Sequence, residues 1–160
     1  LEWGLEDSAG AWRDVPGIVA GAYLAAVPGV PALALGVEGA RFAPSCCGNP
    51  WWYRHRGFAG GWTSDRRPLG HPLGGEGTEI AVRADLALGA GRWLVGGRGY
   101  VRERGPENLF APVLEGSSTG GELSVSILAG PRFRVSAEAD VEAGPGRDRS
   151  DVVLRGALLF

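Results

Sequence analysis

The sequence predicts an all-β fold, an antiparallel transmembrane β-barrel of the bacterial outer-membrane kind. Three observations predict it. Polar and apolar residues alternate over segments of about ten residues, matching the ~9–11 a tilted strand needs to cross a bilayer and exceeding the ~5–6 of a soluble strand. After the first segment the connections run long, short, long, short, long, short, medium, and outer-membrane barrels join short periplasmic turns to longer external loops. The last segment alternates up to a terminal aromatic, with Val152, Leu154, Leu158 and Phe160 set against Asp151, Arg155 and Ala157.

The strands are expected at about 1–6, 17–27, 32–42, 78–88, 92–103, 121–129, 132–143 and 151–160. In the first, Leu1, Trp3 and Leu5 oppose Glu2, Gly4 and Glu6. The second is poor in charge and rich in alanine, and Pro28-Gly29-Val30-Pro31 turns it back. The third sets Leu33, Leu35 and Val37 against Glu38. A long external loop is expected over residues 43–77.

The fourth strand alternates most cleanly, with Ile80, Val82, Ala84, Leu86 and Leu88 on one face and Glu79, Arg83 and Asp85 on the other. Gly89-Ala90-Gly91 leads to the fifth, where Trp93, Val95 and Val101 oppose Arg98, Tyr100 and Arg102. A second loop runs from Gly105 to about Gly120, and the sixth strand sets Leu123, Val125 and Ile127 against Glu122, Ser124 and Ser126. Gly130-Pro131 turns the chain into the seventh, whose Phe133, Val135, Ala137, Ala139 and Val141 oppose Arg132, Arg134, Glu138, Asp140 and Glu142. No useful helix fits anywhere.

Composition bounds the classes. At 160 residues this is one domain or part of one, and an apolar fraction of 44% excludes a disordered chain. No run approaches the ~18 apolar residues of a membrane helix. A net charge of −2 exerts no pull toward nucleic acid. Twenty-eight glycines, more than double the usual ~7%, suit strands with tight turns. The chain opens at Leu1 inside a strand pattern, without methionine or signal peptide, so the rear portion of a longer protein is expected.

In a barrel the apolar faces meet lipid. The lumen is then expected to carry Glu2, Glu38, Glu79, Arg83, Asp85, Arg98, Arg102, Glu122, Arg132, Arg134, Glu138, Asp140 and Arg155. Both signs are present, so pairing across neighbouring strands is expected to use most of them. A solute pathway is the other reading. The adjacent Cys46 and Cys47 lack the spacer and partners of a metal site, so a free pair or a vicinal disulfide is expected in the loop.

The stretch from Trp51 to Gly75 shows no period and reads as a functional loop rich in Trp, Arg and Gly. Trp52-Tyr53-Arg54-His55, Gly60-Gly61-Trp62-Thr63 and Arg67-Pro68-Leu69-Gly70-His71 follow one another in it. This order resembles the signature of the Wzi-type capsule-assembly outer-membrane proteins: an aromatic-Tyr-x-His step, a Gly-aromatic step and a Gly-Arg-x-x-Gly-His step. Arg66 stands where that family usually has Gly, and Leu1–Asp7 and Leu35–Gly39 are also family-like. The resemblance implies about eight C-terminal strands of a larger single-domain barrel that helps hold capsular polysaccharide at the cell surface. It implies no enzymatic activity and no cofactor.

The loop chemistry suits a glycan. Trp51, Trp52, Tyr53 and Trp62 offer flat faces for sugar rings, and Arg54, Arg56, Arg66 and Arg67 offer forked donors for uronic-acid carboxylates. Trp51 and Trp52 equally suit the aromatic girdle at a barrel's membrane edge, which leaves Trp62 the better platform. Ser64 and Asp65 have no nucleophile elbow around them, and His55 and His71 have no third partner for zinc, so loop-ordering hydrogen bonds are expected of both histidines. The candidate binding residues are therefore Trp52, Tyr53, Arg54, His55, Trp62, Arg66, Arg67 and His71, with no catalytic or metal site. Expected partners are capsular polysaccharide, outer-membrane lipid and the insertion machinery that reads the strand ending at Phe160, with no nucleic acid. A general porin or a small closed barrel is the competing function, and an outer-membrane hydrolase a third.

Overall fold

The computed structural model describes residues 2–5, 16–44, 63–64, 67–68, 70–111, 114–129, 133–144 and 148–158. These form strands and turns, with no helix among the described residues. The strands are β1 (Glu2–Leu5), β2 (Pro16–Leu24), β3 (Leu33–Phe42), β4 (Thr63–Ser64), β5 (Arg67–Pro68), β6 (Gly77–Leu88), β7 (Trp93–Arg104), β8 (Gly116–Leu128), β9 (Phe133–Ala143) and β10 (Arg149–Leu158). Eight of them make one antiparallel sheet in the order β1-β2-β3-β6-β7-β8-β9-β10, and β4 and β5 form a separate ribbon. The order follows the chain without a crossover. β1 and β10 are the two edges, so the sheet is open and matches part of a barrel wall.

The ladder register shows why alternation matters. Residues directly opposite share a face, so one row across the sheet carries one chemistry. Leu35, Ala84, Gly97, Leu123, Ala139 and Val152 share such a row on the outer face. Ile80 and Val152 on that face are 67% and 75% exposed, which in water would be a liability and in a bilayer is the contact surface. From Ile80 to Leu88 the outer face spans ~27 Å along the strand, about 21 Å at a ~40° tilt, close to the ~25 Å apolar band of outer-membrane barrels. At the loop end the band stops at a polar row in register, Arg41, Thr78, Glu103 and Ser117.

The inner face carries Glu38, Glu79, Arg83, Asp85, Arg98, Arg102, Glu122 and Asp140, as alternation predicts. Arg132 and the side chains of Glu2 and Arg155 lie outside the described residues.

Three details differ from the sequence reading. β8 begins at Gly116 rather than near Gly121, because Ser118 and Gly120, which have turn-like chemistry, meet Arg102 and Tyr100 in the ladder. Gly120 is needed there, since a Cβ would run into the Tyr100 ring. β2 ends at Leu24, and a single Val27–Val30 bridge closes the turn at Pro28-Gly29. The long loop is not wholly irregular, since it holds the β4–β5 ribbon and its last residues turn inward. At the Gly89–Arg92 turn, Gly89, Ala90 and Gly91 all take positive φ, the left-handed backbone that two glycines make inexpensive. Gly130, Pro131, Cys46 and Cys47 lie outside the described residues.

Candidate functional site

The polar face becomes a site at the loop end of the lumen. Glu79 on β6 lies opposite Arg102 on β7, and Arg98 lies opposite Glu122 on β8. Pairing therefore begins with the register. Glu79 accepts from both Arg98 Nη2 and Arg102 Nε, and Arg98 Nη1 reaches Glu122 Oε1 at 3.2 Å. Arg104 grips Glu142 of β9 with both terminal nitrogens, Nη2 to Oε2 at 3.1 Å, in the fork that suits a carboxylate.

Other side chains complete the lattice. Ser118 Oγ donates to Glu142 Oε1 at 2.5 Å and accepts from Arg104 Nη1 at 3.3 Å. Tyr100 donates to Asp140 Oδ1 at 3.1 Å, and the Arg102 guanidinium lies 3.5 Å above the Tyr100 ring centre. The side chains of Arg104 and Glu142 are 0% exposed and those of Arg102 and Glu79 are 4% and 1% exposed. Charges this dry persist only as partners, because an unpaired one would carry its whole desolvation cost.

Two loop segments cover the lattice. Residues 70–76 descend from the long loop, and Leu73, fully buried, packs on Ala40 and Phe42. Its carbonyl accepts from Arg104 Nε at 3.3 Å and Asn108 Nδ2 at 3.0 Å. Asn108, also fully buried, further donates to the Glu76 carbonyl at 2.9 Å and accepts from Phe110 N at 3.0 Å. The Glu76 carboxylate accepts from Glu107 N at 2.7 Å, and Leu109 N donates to the Gly74 carbonyl at 2.9 Å. Gly74 has φ 81° and faces the Phe110 ring, which leaves no space for a Cβ. The two loops thus satisfy one another's backbone groups in the dry lumen, as buried polar groups require.

His71 is the link between loop and lattice. Its Nδ1 accepts from Leu73 N at 3.2 Å, so the imidazole carries its proton on Nε2. Nε2 donates to Glu38 Oε1 at 3.3 Å and lies 3.9 Å from Glu79 Oε1, while the ring tilts against Phe42 at 5.5 Å. Ligand atoms of Glu38, His71 and Glu79 all lie within 4.8 Å of one another, a set that could hold a metal ion. Arg98 already supplies positive charge to the same carboxylates, bound to Glu79 and 3.9 Å from Glu38. A metal would have to displace that guanidinium and the Nε2 proton, so the arrangement serves as a hydrogen-bonded latch on the loop.

Of the candidate binding residues, His71 is placed against Glu38 and Glu79. Arg67 pairs with Ser64 in the β4–β5 ribbon. Trp52, Tyr53, Arg54, His55, Trp62 and Arg66 lie outside the described residues. Sequence reasoning missed Arg104, one residue past its expected strand end, although Arg98, Arg102 and Arg104 share one parity. It also missed Asn108 and Leu73, whose burial no local pattern announces.

The family model for capsule assembly protein Wzi matches residues 1–150. No curated protein matches the chain. Among solved structures, the chain is similar to Wzi of Escherichia coli, described as an outer-membrane protein involved in group 1 capsule assembly and a carbohydrate-binding β-barrel. The TM-score is 0.59 at 18% identity, and the match covers 96% of this chain and 35% of that one. The chain therefore spans about a third of that protein's length, with the fold of part of its barrel wall. With the family match running over residues 1–150, the open antiparallel sheet and the apolar outer band, the chain belongs to the Wzi capsule-assembly family.

Proposed function

We propose that this protein sits in the bacterial outer membrane as a single barrel domain and takes part in capsular polysaccharide assembly and surface attachment. It acts by binding glycan, without breaking bonds. The observation that carries the reading is the way the long loop is rooted. Leu73 and His71 anchor its end to a buried lattice, and an anchored loop loses less conformational freedom when it binds. Polysaccharide is the substrate class, met by Trp52, Tyr53 and Trp62 as stacking faces and by Arg54, Arg66 and Arg67 as donors. His55 orders the loop, and His71 acts by holding it in place. Lipid covers the apolar face, and the strand ending at Phe160 is read by the insertion machinery. The family match favours this over a general porin, and β1 and β10 lie at opposite edges, unlike the seam of a small closed barrel.

The test is capsule retained on cells at matched outer-membrane protein levels. Trp62→Ala is expected to weaken glycan binding roughly tenfold, from the ~1–2 kcal/mol of one stacking face. Arg66→Ala with Arg67→Ala is expected to cost at least as much. If neither variant changes retention, the loop is scaffold and glycan binds elsewhere.

A further inference from the structure

On the outer face, at the loop end of the apolar band, lies a groove of about 460 Å³. Its floor is Gly39, where an added Cβ would find only backbone oxygens at 3.9–4.0 Å. Ile18, Ile80 and Val101, which are 38%, 67% and 57% exposed, are its apolar walls. Its rim belongs to the polar row that ends the band, with Arg41 on one side and Glu103 two strands away. Arg41 is exposed and makes no ion pair among the described residues. It is also the one cation at an outer-face position of the described eight-stranded sheet, since Arg83, Arg98, Arg102, Arg104, Arg134, Arg149 and Arg155 occupy inner-face register positions.

We infer that this groove is a binding site for a phosphate-bearing membrane lipid, with the phosphate on Arg41 and an acyl chain lying along Gly39 between Ile18 and Ile80. Three features converge on that occupant. The groove is apolar along its length, as an acyl chain requires. The guanidinium stands where the band turns polar, at headgroup depth, and its planar fork suits a phosphate. Glu103 at the same level offers a seat for the cation that accompanies a lipid phosphate, an ammonium or a divalent ion. Among the described lining residues a glycan would find no aromatic platform, and a free phosphate would leave the apolar walls bare.

The inference rests on the membrane placement proposed above, and the experiment separates the two. The intact protein, purified and delipidated in maltoside detergent, is incubated with phosphatidylglycerol, phosphatidylethanolamine, a neutral galactolipid or inorganic phosphate. Retained lipid is read by native mass spectrometry. One phospholipid is expected to stay bound in preference to the galactolipid, and inorganic phosphate is not expected to displace it. Arg41→Gln should lower retention about tenfold, the effect of removing one charge-assisted contact. Gly39→Ile should lower it comparably by filling the groove, at a position whose open space and ordinary φ permit the side chain. Equal retention in both variants, or equal retention of galactolipid, would overturn the lipid site and leave membrane placement intact. Displacement by inorganic phosphate would overturn it in favour of a simple anion site. Failure of the wild type to fractionate with outer membranes would instead sink the placement itself.

Discussion

The two ends of the lumen share a sheet, a strand period and a polar face, yet they behave as different materials. At the loop end, Arg104 and Glu142 are sealed from solvent, and each guanidinium nitrogen of Arg104 is engaged by a carboxylate, a hydroxyl or a loop carbonyl. At the turn end, Arg83 pairs with Asp85 two residues along its own strand, at 2.6 and 3.0 Å, but its side chain is 60% exposed. Tyr23 beside it is 63% exposed, over a cavity of about 480 Å³ that Gly36 helps to form. The strands do not make this difference. Residues 70–76 and 105–111 fold over one half and none of the described residues fold over the other. Ion pairs that look alike in sequence are therefore unlike in energy, because cover, more than charge, sets the dielectric around them.

That contrast can be broken by substitution. The largest effect is expected at Glu142, where Glu142→Ala strands Arg104 in a dry site and should cost about 3–5 kcal/mol. The check is urea unfolding of the folded protein in lipid, followed by gel mobility. A cost near that of a surface pair would show that water reaches the lattice and would erase the difference between the two ends.

Next in size is the cover itself. Gly74→Ala meets a positive φ and the Phe110 ring together, and should destabilise by about 1–3 kcal/mol. Phe110→Ala in the same chain should return the steric part and leave the conformational part. Limited proteolysis of the two loops, compared between single and double variants, measures the split. Identical cleavage in all of them would mean that the loops are not mutually stapled.

The smallest effect belongs to the open end. Arg83→Ala should change stability by only ~0–1 kcal/mol, since the pair is solvated and screened. Raising the salt should reduce even that. An unfolding shift comparable to that of Glu142→Ala would mean that the turn end is covered as tightly as the loop end.

How much of this was legible beforehand depends on the range of the signal. Ile80, Val82 and Leu86 against Glu79, Arg83 and Asp85 state their faces within one strand, and the register confirms each of them. Ser118 and Gly120 carry the same alternation, but it is hidden under turn-forming chemistry. Their place in β8 shows only when Arg102 and Tyr100 are set opposite. His71 was readable as a loop-ordering histidine, and its partners were not, since Glu38 lies 33 residues away.

The sequence by itself determined the class of fold, the two faces of each strand and the mixed charge of the lumen. A period of 2 is a local property of the chain, and a bilayer sorts it without further instruction. Only the tertiary structure decided which charges are dry, which loop covers them and where a lipid-sized groove opens on the outer wall. Leu73 meets Arg104 across 31 residues and Asn108 across 35, and no local pattern encodes a contact between two loops whose meeting depends on the register of the strands between them.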